Sequence, residues 1–135
     1  MNHVHAQANL EVVLDWIDAL RRGAVDTIAE RFHPDVLWED LTGHVACEGR
    51  EQVLDWLRMA RTSPTQVDAL ELLADEEHVV LGVRNRARQE LAGVKLIDGQ
   101  LFTVFTLRDG RIAHLRDHAH RADALGDAGL DFEWR

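Results

Sequence analysis

Residues 100–118, QLFTVFTLRDGRIAHLRDH, contain two apolar runs separated by a short polar segment. The segment is Arg108-Asp109-Gly110, and an Asp-Gly pair between apolar runs is typical of a tight β-hairpin. The sequence therefore predicts two neighbouring antiparallel strands, over residues 100–107 and 111–118.

Two more strands are predicted before this hairpin, over residues 65–74 and 79–89. The acidic run Asp75-Glu76-Glu77 separates these two strands, and a loop over residues 93–99 leads into the hairpin. The second half of the chain is therefore a series of antiparallel strands.

The first half of the chain has helical spacing instead. Apolar residues recur every three or four positions from Leu10 to Leu20, which predicts a helix capped by Asn9 and stopped by Gly23. The other predicted elements are a short helix over residues 25–32 ended by His33-Pro34, a strand over 36–41, a turn region over 42–49, a helix over 50–61 and a helical turn over 121–125.

Helices followed by a run of antiparallel strands indicate the α+β class. We expect one domain over residues 1–135, in which a curved antiparallel sheet forms a cone around three N-terminal helices. Residues 1–7 and 127–135 are predicted to be flexible tails. Such an architecture leaves room for an apolar pocket between helices and sheet.

Composition excludes several kinds of partner. The 135 residues carry a net charge of −9, with 24 acidic against 15 basic side chains, and a nucleic-acid surface would need a basic face. No apolar run reaches the ~20 residues of a membrane helix. The chain shows no secretory signal, and Cys47 is a single cysteine that cannot form an internal disulfide, so we expect a cytoplasmic protein.

Two segments resemble enzymes of one superfamily. Residues 36–43, VLWEDLTG, followed by Gly-Arg-Glu-Gln at 49–52, resemble the ketosteroid isomerase strand that carries the catalytic base, which falls on Asp40. Residues 105–112, followed by Leu115-Arg116-Asp117, are similar to the hairpin of limonene epoxide hydrolase and SnoaL-like proteins. The catalytic aspartate of that pattern falls on Asp117.

The order of elements also resembles this ketosteroid-isomerase-like superfamily, which is called nuclear transport factor 2-like or SnoaL-like as well. The resemblance implies a homodimer and hydrolase, isomerase or cyclase chemistry that needs no cofactor. It also places Arg84 where the epoxide hydrolase has an arginine that holds two aspartates, the second of which falls on Arg86.

The chain departs from both enzymes at other positions. The oxyanion-hole tyrosine of ketosteroid isomerase falls on Trp16 and its acidic partner falls near Thr103, and the chain contains no tyrosine. The epoxide hydrolase tyrosine and asparagine that hold the water fall on Trp38 and Asp40. Neither chemistry is therefore carried over intact.

Asp40 and Asp117 are candidate catalytic residues because each interrupts a strand otherwise suited to burial. A carboxylate in an apolar pocket becomes more basic, and a nearby guanidinium opposes that shift. The alternatives are a structural Asp–Arg pair, or Glu39 in place of Asp40 at the inward position.

The direction of Arg84 is open from the residues themselves. Strand alternation puts Val79, Leu81 and Val83 in the core and Arg84 in solvent, whereas the resemblance points Arg84 inward. We expect Arg84 to face inward and leave Arg86 undecided.

A metal site is not expected. His114, His118 and His120 share one strand parity, but neighbours at this spacing are ~7 Å apart and need a third ligand from elsewhere. Cys47, in a predicted loop without a base partner, is not expected to be a nucleophile.

We therefore expect a cofactor-free acid–base enzyme that acts on a small apolar or weakly anionic molecule, resembling an epoxide hydrolase, an isomerase or a cyclase. Asp117 would transfer the proton, with Asp40 as a second polar group and Arg84 orienting them. The predicted pocket residues are Trp16, Trp38, Trp56, Thr103, Phe105 and Leu115. The alternative is a non-catalytic ligand-binding or dimerisation module of the same fold.

Overall fold

The computed structural model describes residues 3–60, 67–85 and 88–130. Its elements, in chain order, are α1 (His3–Arg22), a 3-10 helix (Val25–Arg31), β1 (Phe32–Glu39), β2 (Val45–Glu48), α2 (Arg50–Ala60), β3 (Val67–Ala74), β4 (His78–Asn85), β5 (Glu90–Leu91), β6 (Val94–Lys95), β7 (Gln100–Arg108), β8 (Arg111–His118) and α3 (Arg121–Ala128).

Six of the strands form one curved sheet in the order β2-β1-β8-β7-β4-β3, which confirms the predicted α+β class. Neighbouring strands are antiparallel except for β1 and β8, which are parallel, so the expectation of a wholly antiparallel sheet is wrong for that pair. Parallel strands need a long connection, and here most of the chain lies between them. The short strands β5 and β6 pair with each other outside this sheet.

The three N-terminal helical segments pack together on one face of the sheet, which we call the inner face. Their buried apolar side chains form one core with inward residues of the strands, including Trp38, Leu81 and Phe105. The opposite, outer face is partly covered by α3, which packs on Val80 and Phe102. The sequence predicted the inner layer and did not place α3.

Several element boundaries differ from the sequence prediction. Residues 3–7 belong to α1 and residues 127–128 to α3, so neither stretch is part of a tail. Residues 1–2 and 131–135 of the predicted tails lie outside the described part of the chain. Strand β2 lies within the region that was predicted to be a turn.

Asn9 and Pro34 also lie at positions that differ from the prediction, which had Asn9 as the helix cap and Pro34 before the strand. Asn9 is buried inside α1, where its side-chain amide donates to the carbonyls of Asp75 and Glu76 and ties the β3–β4 turn to the helix. Pro34 does not precede the strand but lies within β1, between Phe32 and Leu37, where the register with β8 shifts. A residue without an N–H is tolerated at such an irregularity.

Candidate functional site

Asp117 lies near the end of β8 and faces the inner side of the sheet. Thr103 is its partner on β7, and the Thr103 hydroxyl donates to Asp117 Oδ1 at 2.9 Å. Trp38 pairs with Leu115 on the parallel side, so that its indole Nε1 reaches Asp117 Oδ2 at 3.1 Å. Two neutral donors from two strands thus hold the two carboxylate oxygens.

The surroundings of Asp117 favour its protonated form. Burial raises the pKa of this carboxyl from 3.8 to about 6, while the hydrogen bonds from Thr103 and Trp38 oppose the rise. The charge of His118 also lowers this pKa, and the charge of Asp40 raises it slightly. With a pKa of about 6, roughly one Asp117 carboxyl in ten carries a proton at pH 7.

Aromatic and sulfur groups surround the Trp38 side of the carboxylate. The ring of Trp56, on α2, lies with its centroid 4.9 Å from that of Trp38 and is tilted by 54°. Cys47 faces Trp38 from β2 and is buried, so it lies in a strand and not in a loop. Burial raises the pKa of the Cys47 thiol, and the nearby charge of Asp117 adds to the rise. The thiol therefore stays protonated at neutral pH.

Trp16 contributes a donor without a partner. Its indole is 8% exposed and meets Phe105 edge to face, with ring centroids 5.2 Å apart. Within the described residues, Trp16 Nε1 has no hydrogen-bond partner, and a buried donor in that state is costly. Phe105 and Leu115 have no exposed surface and belong to the packed inner core, so the prediction that they line the pocket is wrong.

Asp40 does not join Asp117. It lies in the loop after β1, where its carboxylate accepts hydrogen bonds from the hydroxyl and backbone N–H of Thr42 and from the backbone N–H of His44. These bonds, led by the Thr42 hydroxyl, lower the pKa of Asp40. Glu39, the alternative inward carboxylate, instead pairs with His114. Asp40 is therefore a loop-stabilising residue that reaches Asp117 only through its charge.

Arg84 lies on the outer face, so the expectation that it faces inward is wrong. The β4–β7 ladder has no register shift, and strand alternation therefore carries through to Arg84. Val83 packs with the inner core, whereas Arg84 pairs with Asp98 at 3.0 Å. Alternation alone gave the right answer. Arg86 lies outside the described residues.

The strand histidines are engaged in separate contacts. His114 pairs with Glu39, and His118 Nε2 lies 2.9 Å from Asp127. Across residues 3–60, 67–85 and 88–130, no group of three His, Cys, Asp or Glu side chains could hold a metal ion. No helix in the same part of the chain is long and apolar enough to cross a membrane.

Comparison with known proteins places the chain in a family. Residues 13–115 match the model of the SnoaL-like domain, so this chain belongs to the SnoaL-like domain family. No curated protein sequence matches it.

Several solved structures share the fold. An LEH-like epoxide hydrolase from M. tuberculosis is 19% identical with a TM-score of 0.65, covering 90% of this chain and 89% of its own. A steroid delta-isomerase from Pseudomonas aeruginosa is 18% identical with a TM-score of 0.65, covering 90% and 86%. An NTF2-like protein of unknown function from Mesorhizobium loti is 14% identical with a TM-score of 0.68, covering 85% and 93%. At these identities the likeness concerns the fold alone.

The hydrogen bond from Trp38 to Asp117 was not predicted from the sequence. Trp38 was expected only to line the pocket, whereas in the structure its indole N–H donates to Asp117. A signal existed in the resemblance, which put a water-holding tyrosine at position 38. The tyrosine hydroxyl and the indole N–H are both hydrogen-bond donors.

Proposed function

We propose that this chain is a cofactor-free acid–base enzyme acting on a small, largely apolar organic molecule, with Asp117 as the proton-transfer group. The observation that carries the proposal is the partly buried Asp117 carboxyl, held by Thr103 and Trp38, with a pKa of about 6. A general base is most effective when its pKa lies near the working pH.

The contacts of Asp117 leave it able to react. Each carboxylate oxygen accepts one hydrogen bond in the structure, and a carboxylate oxygen can accept about two. The donors therefore fix the direction of the carboxylate and leave a lone pair for a substrate proton. Because Trp38 and Thr103 are neutral, they lower basicity less than a guanidinium would.

The unpartnered N–H of Trp16 supports the same reading. Removing a proton from a carbon next to a carbonyl places negative charge on the carbonyl oxygen, and that charge needs a donor. Trp16 lies against Phe105, two residues along β7 from Thr103, and side chains at that spacing share one face. We assign Trp16 Nε1 as the donor to the substrate oxygen and the indoles of Trp38 and Trp56 as apolar contacts.

This arrangement favours isomerase-like or cyclase-like chemistry over epoxide opening. Opening an epoxide requires an acid that protonates the departing oxygen, in addition to the base that activates water. Arg84, expected beside the base, lies on the other face of the sheet. One base with one neutral donor suffices for a proton shift next to a carbonyl.

The test uses a panel of small enolisable ketones in D₂O. Proton NMR measures exchange of the carbon-bound hydrogen, and the wild-type chain should accelerate it for at least one member. Asp117→Asn should lower that rate at least ~100-fold, the usual scale of a general base. The matched control Asp40→Asn should stay within a few-fold of wild type.

Two results would count against the proposal. Equal exchange by wild type and Asp117→Asn would remove Asp117 from the reaction. If no ketone exchanges while apolar ligands quench tryptophan fluorescence equally in both proteins, the chain is a non-catalytic binding module.

The assembly and compartment belong to the same proposal. The outer face of β1 and β8, which carries Glu39 and His114, extends beyond α3 and is the surface on which we expect a homodimer. The buried free thiol of Cys47 suits a cytoplasmic protein. Light scattering across a dilution series should give a dimer mass, and substitution of Glu39 by Arg should shift it towards the monomer.

A further inference from the structure

Trp56 is unusually exposed for an aromatic residue that packs against a buried one. Its side chain lies on α2 with 43% of its surface exposed, while the Trp38 ring against which it packs is almost fully buried. The contact therefore joins the protein surface to the indole that donates to Asp117.

The first turn of α2 is tied to the sheet on both sides. Arg50 donates from Nε and Nη2 to the carbonyl of Phe32, at 3.1 and 2.8 Å. Gln52 accepts a hydrogen bond from the backbone N–H of Glu48 at 2.8 Å. These bonds fix the helix against β1 and β2, so Trp56 is held at a set position over Trp38.

We propose that Trp56 is a positioning residue for this site: its ring holds the Trp38 indole in the orientation in which Nε1 donates to Asp117. The inference rests on the proposed role of Asp117 and extends it to a residue that makes no contact with the carboxylate.

Rotation about the last side-chain bond of tryptophan is the reason why such a support is needed. This torsion joins a tetrahedral to a planar carbon and has a broad energy profile, so packing must select one orientation. Only one edge of the indole carries the N–H. If the Trp38 ring turns, Asp117 loses a donor to its charged form, and its affinity for a proton rises.

The experiment follows the titration of Asp117 by carbon NMR of labelled Asp carboxyls, with Asp117→Asn used for assignment. Trp38→Phe, which removes the donor, should raise the Asp117 midpoint by about one pH unit. Trp56→Ala should raise it in the same direction by roughly half as much, and Trp56→Phe should restore most of the wild-type value. The Trp38 indole N–H resonance should shift in Trp56→Ala and return in Trp56→Phe.

Leu14→Ala is the matched control. Leu14 is 45% exposed, close to the value for Trp56, and lies on α1 beside a groove that includes Gly110. Gly110 is at the opposite end of β8 from Asp117, about 23 Å away at the rise of a strand. Loss of this side chain should leave the Asp117 titration unchanged.

A purely structural Trp56 would behave differently. In that case Trp56→Ala would lower the melting temperature without moving the Asp117 midpoint, and the proposal would be overturned. If the alanine variant does not fold, Trp56→Leu is measured instead, because leucine keeps part of the apolar volume but has no ring plane. It should move the Asp117 midpoint as alanine would. The titration needs no substrate, so it tests the role of Trp56 separately from turnover. An unmoved midpoint would refute the role of Trp56 even if Asp117 is catalytic, and a lack of turnover would refute the role of Asp117 in catalysis even if the midpoint moves.

Discussion

Replacing the site carboxyl should make the protein more stable. In the folded chain the pKa of Asp117 is raised from 3.8 to about 6 because burial disfavours the charged form. Between these two values the unfolded chain loses its proton while the folded chain keeps it, so the free energy of unfolding falls as pH rises. Below about pH 3.8 Asp117 does not change the free energy of unfolding, and above about pH 6 its destabilising contribution is fully present.

The size of the effect follows from the shift. A rise from 3.8 to about 6 corresponds to about 3 kcal/mol at neutral pH. Asp117→Asn removes this cost, since an amide does not ionise. Its oxygen can accept from Trp38 Nε1, and its NH₂ can donate to the Thr103 hydroxyl, which is able to turn. The free energy of unfolding of Asp117→Asn should exceed that of wild type by about 1 kcal/mol near pH 4.5 and by about 3 kcal/mol near pH 7.5.

Urea unfolding of both proteins across this pH range measures the difference. The urea concentration at the unfolding midpoint should change between the two proteins. The dependence of the free energy of unfolding on urea concentration should stay the same, because both proteins expose the same surface on unfolding. Asp40→Asn is the control, with an effect of the opposite sign. The pKa of Asp40 is lowered in the folded chain, so its ionised form stabilises the chain at pH values above the ordinary pKa of an aspartate. That stabilisation is lost as the pH falls, and the variant lacks it at every pH. An Asp117→Asn variant that is less stable than wild type, or a gain that does not depend on pH, would refute the reasoning.

Three other substitutions test the packing and the site. Gly82→Ala should destabilise the chain by about 1–3 kcal/mol in urea unfolding, because the new Cβ would lie 2.8 Å from the ring of Phe102; an unchanged midpoint would contradict this packing. Asn9→Ala should cost about 1–3 kcal/mol, since the carbonyls of the β3–β4 turn lose their buried donor, and a neutral result would mean that water replaces it. Trp16→Phe should change stability by less than about 1 kcal/mol but lower exchange of ketone substrates about tenfold, and unaltered exchange would exclude Trp16 as the donor.

The fold was predictable because its signals are local. The Asp109-Gly110 turn and the helical spacing between Leu10 and Leu20 each depend on residues close in the chain, and both elements are present. The parallel pairing of β1 with β8 joins segments far apart in sequence. No local pattern reports such a pairing, because it is decided by how the whole sheet packs.

Part of the site was predictable from local sequence, and the part that depends on contacts with other residues was not. Asp117 stood out as a carboxylate in an apolar strand, and its raised pKa fits that reading. Asp40 showed the same pattern, yet the loop bonds from Thr42 and His44 are made by residues that follow it and give it a structural role. At Arg84 the alternation of the strand decided the direction, against the resemblance.

The ionisation of Asp117 in the wild-type chain is the most direct measurement. Its carboxyl carbon resonance should titrate with a midpoint of about 6, and the Trp38 indole N–H resonance should follow the same curve. A midpoint near 3.8, the ordinary value of an aspartate, would show a solvated carboxylate and contradict the proposed proton-transfer site.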